Sequence, residues 1–113
     1  MNNLESKLMA DVFDRLMSEI HERVRTLPEG SYTTKLAKGG IPAIAAKIRE
    51  ESEELIDAAE KDDRQHFVYE ACDLIYHTWV LLGLKNVSVD ELRKELERRE
   101  GTSGIAEKNS RAK

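Results

Sequence analysis

The chain has 113 residues, of which 40% are apolar, and a formal net charge of -4. That length suits a single domain spanning 1–113, with enough apolar content to bury a core and rule out wholesale disorder. The acidic balance disfavours nucleic acid as a partner, and the single cysteine, Cys72, excludes an intrachain disulfide or a cysteine-built zinc cluster.

Leu4, Leu8, Val12, Phe13, Leu16, Ile20, Val24 and Leu27 recur at helical spacing, so the first predicted element is one long amphipathic helix. Pro28-Glu29-Gly30-Ser31 ends it. The stretch SYTTKLAKGG then reads as a connector, with Gly39, Gly40 and Pro42 as breakers. A proline is tolerated in a first helical turn, so the second helix is expected to start near Ile41–Pro42 and run to about Glu60. Its predicted apolar face is Ile41, Ile44, Ile48, Leu55, Ile56 and Ala59.

A polar turn at KDDR leads to a third helix, from Gln65 to Leu84, that is apolar almost all round, as buried helices are. Ser88 and Glu91 form a capping-box pattern at the start of a fourth helix, which should end before Gly101. The tail from about 101, GTSGIAEKNSRAK, reads as a frayed terminus on composition alone. Nothing alternates as a strand does, so the fold class is all-α, a bundle of four to five helices. The N-terminus has no basic-then-apolar leader and no apolar run is long enough to span a bilayer, so a soluble, cytoplasmic protein without a membrane partner is expected.

Two features carry chemistry. Residues 49–55 read REESEEL, four glutamates in seven positions. On the third helix His66, Glu70, Asp73 and His77 form one narrow polar stripe at spacings of four, three and four. Carboxylates on a buried helix are unfavourable unless paired or bound to metal, and the nearby bases, Lys47, Arg49, Lys61 and Arg64, flank the acids rather than match them. Packing the two helices so that Glu50, Glu51 and Glu54 face Glu70 and Asp73 across a divalent cation resolves the conflict. Carboxylates alone suit a hard cation, Mg²⁺ or Mn²⁺. The histidines read as hydrogen-bonded neighbours rather than ligands. Glu53 reads as solvated.

Glu50-Glu51-x-x-Glu54 followed by Glu70-x-x-Asp73 resembles the acidic signature of the all-α MazG-like nucleotide pyrophosphohydrolases. PEGSYTTKL at 28–36, YEACDLIYH at 69–77 and ELERREGTSGIAEK at 95–108 narrow the resemblance to the phosphoribosyl-ATP pyrophosphohydrolase family of histidine biosynthesis. That resemblance implies a MazG-like bundle and Mg²⁺-dependent hydrolysis of phosphoribosyl-ATP to phosphoribosyl-AMP and pyrophosphate. It makes Glu50, Glu51, Glu54 and Asp73 the implied metal ligands, with Glu70 a further acidic member. By residue type, a carboxylate not fully occupied by metal, Glu50 or Glu51, is expected to activate the water. Arg49 and Glu53 depart from the family pattern, which often has glycine at the first position and a small or apolar residue at the second.

Donors for the substrate's phosphates and ribose are sought in Ser31, Tyr32, Thr33, Lys35 and Lys38 of the connector, in Lys47, and in Arg99, Ser103, Gly104 and Lys108 near the end. Some relatives fuse this activity to a zinc-dependent cyclohydrolase, and with one cysteine this chain is expected to act alone. The third helix is apolar on too many sides for four helices to cover, so a homodimer is expected, with sites that draw on both chains. Two other readings stay open: a house-cleaning hydrolase of nucleoside triphosphates, and a non-catalytic helical dimer or adaptor.

Overall fold

The computed structural model describes residues 10–102 and 104–111, and among these the chain is all α. α1 spans Val12–Thr26, α2 Tyr32–Glu60, α3 Arg64–Leu84, α4 Val89–Arg99 and α5 Gly104–Arg111.

Each of the first four helices begins with a side chain that takes up an orphan backbone N–H. Asp11 accepts from the Asp14 N–H at 3.1 Å, and the Asp14 carboxylate accepts from the Asp11 N–H at 3.2 Å. Asp63 caps α3 through the His66 N–H, at 3.1 Å. The Ser88–Glu91 box forms as its spacing predicts, with both reciprocal bonds present. Leu4 and Leu8, expected in the first helix, lie outside the described residues.

One expectation is overturned. The stretch 32–39 is helical rather than an irregular connector, and it runs into the second predicted helix through a break at Gly40. Gly40 has φ 72° and ψ -168°, a combination essentially confined to glycine. Ser31 caps the segment, accepting from the Thr34 N–H at 3.3 Å. Burial of Thr33, Thr34 and Leu36 then holds it in place. The breakers thus mark a kink between two helical pieces, with Pro42 in the first turn after it. The tail also carries a helix, α5, where composition suggested none.

Ile20, Leu36, Ile44 and Val80 form the centre of the core, with Leu16, Val24, Ile48, Tyr76, Trp79, Leu81 and Leu84 packed around them. Burying each large aliphatic side chain stabilises the fold by about 1.5–3 kcal/mol. α3 is the hub, packed against both α2 and α1. Gly83 lets α1 approach closely, since a Cβ there would stand 2.9 Å from Ile20 Cγ2. The inward line of α2 is Ile44, Ile48, Glu51 and Ala58; Ile41, Ile56 and Ala59 of the predicted face are exposed. α4, with Val89 buried at its start, docks on α1 through Arg93, whose Nη1 and Nη2 each bond an Asp14 carboxylate oxygen at 2.7 Å. Among the described residues no helix is long and apolar enough to cross a membrane.

Candidate metal-binding site

α2 and α3 run antiparallel, which the side-chain pairs show: Thr33 meets Tyr76 near one end, and Glu51 meets Glu70 and Asp73 near the other. Glu51 lies on the inward line of α2, three residues after Ile48, so the periodicity that buries the isoleucines carries a carboxylate in with them. Glu70 and Asp73, three apart on α3, face it. The three residues offer carboxylate oxygens that all lie within 4.8 Å of one another.

The cluster is buried where charge is least welcome. Glu51 is 6% exposed and Glu70 5%, with Asp73 half-buried. Among the described residues, the Oε2 atoms of both glutamates have no hydrogen-bond partner, and both are buried. Leaving a buried polar atom unpaired is destabilising by about 1–3 kcal/mol, more for a charged group. Burial, reinforced by the negative charges of Asp73 and Glu54, pushes the Glu51 carboxyl up to about 7. Glu54, half-buried beside them, is also pushed up, first by the neighbouring Glu70 carboxyl and then by burial.

His66 is the basic group beside Glu70, with Nε2 3.6 Å from Oε1. Orphaned oxygens, a raised carboxyl and an all-carboxylate donor set fit a hard cation held by Glu51, Glu70 and Asp73. The same arrangement without a cation stores repulsion.

Other residues singled out in the sequence fall around this trio in different ways. Glu50 stands outside it, with Oε2 3.5 Å from Lys47 Nζ, and Glu53 is exposed. His77 is buried but is no ligand of the cluster. Its Nδ1–H donates to the Asp73 backbone carbonyl at 2.8 Å, and its Nε2 lies 3.0 Å from the Tyr32 hydroxyl. The carbonyl can only accept, so Nε2 is the acceptor in the neutral ring and Tyr32 is the donor. Burial pushes the Tyr32 hydroxyl's pKa up.

Thr33 is fully buried, its hydroxyl 2.6 Å from that of Tyr76. Ser31, Tyr32, Lys35 and Lys38 line an open groove of about 540 Å³ together with Glu29, Gly30 and Thr34. Lys47 raises no conflict with the acids: Tyr32 and Glu50 beside it hold its ammonium above the ordinary lysine value.

Arg99, Gly104 and Lys108 sit on α4 and α5. Arg99 donates to Glu95 at 2.9 Å, and α4 packs on α1 rather than on the α2–α3 pair. Among the described residues of one chain, then, no close packing joins α4 or α5 to the acid-bearing pair. Ser103 lies outside the described residues. The Tyr32–His77 and Thr33–Tyr76 bonds escaped the sequence reading. The only available signal was that Tyr76 and His77 follow Asp73 by three and four residues, on the same face.

Comparison with known proteins agrees along most of the chain. Residues 13–100 match the sequence profile of a family described as phosphoribosyl-ATP pyrophosphohydrolase. A phosphoribosyl-ATP pyrophosphatase of Rhodopirellula baltica is 57% identical over 101 residues, covering 87% of this chain and 84% of the relative. Its counterpart from Rhodobacter capsulatus is 48% identical over 97 residues, covering 86% and 94%. A histidine biosynthesis bifunctional protein of Wolinella succinogenes is 43% identical over 107 residues, which is 95% of this chain but 47% of that longer protein. Identity at this level along nearly the whole length, with the acidic helices inside the matched segment, means that the chain belongs to the phosphoribosyl-ATP pyrophosphohydrolase family.

Proposed function

We propose that this chain hydrolyses phosphoribosyl-ATP to phosphoribosyl-AMP and pyrophosphate, a step of histidine biosynthesis, with Mg²⁺, or Mn²⁺ in its place, as the cofactor. The observation that carries the metal requirement is the pair of buried, unpartnered oxygens on Glu51 and Glu70 beside Asp73. Glu51, Glu70 and Asp73 would hold the ion, with Glu54 and Glu50 at the rim. A bound divalent cation supplies positive charge to the phosphate oxygens, which favours departure of pyrophosphate.

The chain's own residues do the rest. Glu50, beside Glu51 in the chain but outside the trio, would orient the attacking water and take its proton, Glu51 being committed to the ion. The water oxygen forms the new bond to phosphorus, and the bridging oxygen leaves with pyrophosphate. Lys47, paired with Glu50, contributes a cation at the rim to balance the phosphates. Ser31, Lys35 and Lys38 line a groove able to take the remaining polar parts of the substrate.

A homodimer belongs to this reading. Phe67, Val68 and Tyr69 on α3 and Ile56 on α2 are exposed, and a second copy would cover them. Arg99, Ser103, Gly104 and Lys108 would then reach a site from the partner. A cytoplasmic location accords with a biosynthetic enzyme.

Pyrophosphate release tests the proposal. Incubated with Mg²⁺, the protein should act on phosphoribosyl-ATP in preference to a panel of nucleoside triphosphates, and Glu51→Gln or Asp73→Asn should abolish turnover with helicity intact. Release from the panel alone would sink the proposal in favour of a house-cleaning hydrolase, and release from neither would favour a non-catalytic dimer.

A further inference from the structure

We infer that the ring of Tyr32 is the platform on which the substrate's purine stacks. This rests on the function proposed above and adds the binding mode of the base.

Tyr32 lies on the acid-bearing α2–α3 pair, and hydrogen bonding is not what it has left to give. Its hydroxyl donates to His77 Nε2 at 3.0 Å, and His77 is fixed in that tautomer because its Nδ1–H is held by the Asp73 carbonyl at 2.8 Å. Yet the residue stays 44% exposed, with its hydroxyl tethered. The ring lies nearly parallel to that of Tyr76, with centroids 6.1 Å apart and planes at 16°, while His77 meets it edge-on at 90°. These contacts hold the ring in one orientation, so little freedom remains to be lost when a planar group lies on it.

Position completes the argument. His77 follows Asp73 by one turn of α3, a rise of about 6 Å. A purine on Tyr32 would therefore lie within the reach of its own phosphate chain from the acids. Through His77 the Tyr32 hydroxyl is linked to the backbone of Asp73, a member of the acidic trio, which sets the ring beside the same site. The groove lined by Ser31, Tyr32, Lys35 and Lys38 leaves open space beside it. Base–aromatic stacking tolerates many bases and needs only a fixed π face.

The test uses the full chain with Mg²⁺ and phosphoribosyl-ATP. Tyr32→Leu should raise KM about tenfold, the loss of one base–aromatic stack, with a smaller effect on kcat. Tyr32→Phe, which keeps the ring but loses the tether to His77, should raise KM by about two- to threefold only. Inorganic tripolyphosphate, a competitor with no base, should inhibit wild type and Tyr32→Leu alike. Should the leucine variant fail to fold, Tyr32→Trp takes its place, with a KM no higher than that of Tyr32→Phe.

Equal losses in the leucine and phenylalanine variants would overturn the inference, since the hydroxyl would then be what matters. So would a KM unmoved by Tyr32→Leu, a Tyr32→Trp KM above that of Tyr32→Phe, or a parallel weakening of tripolyphosphate inhibition. A wild-type protein that releases no pyrophosphate from phosphoribosyl-ATP would instead refute the proposed function.

Discussion

Without a divalent cation, this fold should lose stability as the pH rises from 5 to 8, and Glu51→Gln should remove most of that loss. Burial and the neighbouring carboxylates lift the Glu51 carboxyl from 4.5 to about 7. The folded state therefore holds this proton more tightly than the unfolded chain does. The resulting stabilisation is fully present below about 4.5 and is lost as the pH rises through about 7. At roughly 1.4 kcal/mol for each tenfold change in proton affinity, the difference amounts to about 3 kcal/mol. For a chain of this size that is a fall in melting temperature on the order of 10 °C.

The assay is a thermal melt at fixed protein concentration, in EDTA and in Mg²⁺, at several pH values. In EDTA at pH 8, Glu51→Gln should melt above wild type, because the amide carries no charge into the cluster. Added Mg²⁺ at about a hundredfold its dissociation constant should raise wild-type stability by about 2.7 kcal/mol and flatten its pH dependence. The variant should gain far less. A wild-type melting temperature in EDTA that is flat across this range, or equal gains from Mg²⁺ in the two proteins, would refute the reasoning.

Three further outcomes are expected. Gly40→Ala forces a side chain onto a backbone at φ 72° and ψ -168°; it should lower stability by about 1–3 kcal/mol and raise KM for phosphoribosyl-ATP by displacing the segment that carries Tyr32, which denaturant titration and steady-state kinetics would check. Arg93→Lys should lower the melting temperature, more so at low salt, because an ammonium cannot reproduce the two parallel bonds to Asp14. The Asp14 carboxyl, held down to about 2 chiefly by its hydrogen bonds with Arg93, should contribute stability above its ordinary value of 3.8 that fades as the pH falls through about 2. A variant whose acid limb matches wild type would rule that contribution out.

The all-α class, the limits of α3 and α4 to within about a residue, and the pairing of REESEEL with the stripe on α3 were legible from local rules. Helical periodicity, a capping box and the unfavourable burial of unpaired acids need no knowledge of what lies across the bundle. Those rules also separated exposed Glu53 from buried Glu51. The helix over 32–39 was not legible, because its start is a serine in a polar, glycine-ended stretch. Burial of Thr33 and Leu36 against α3 decides it, and that depends on residues more than 40 positions away. The choice of Glu51, Glu70 and Asp73 as the inner trio, with Glu50 left to Lys47, was likewise settled by tertiary packing. Periodicity placed those acids to within a face of the helix, but which oxygens converge depends on how α2 and α3 are rotated and shifted against each other. Sequence by itself determined that acids would be forced together. Only the tertiary structure decided which ones, and it gave Tyr32 its bond to His77, because contacts between distant residues are set by packing and not by spacing along the chain.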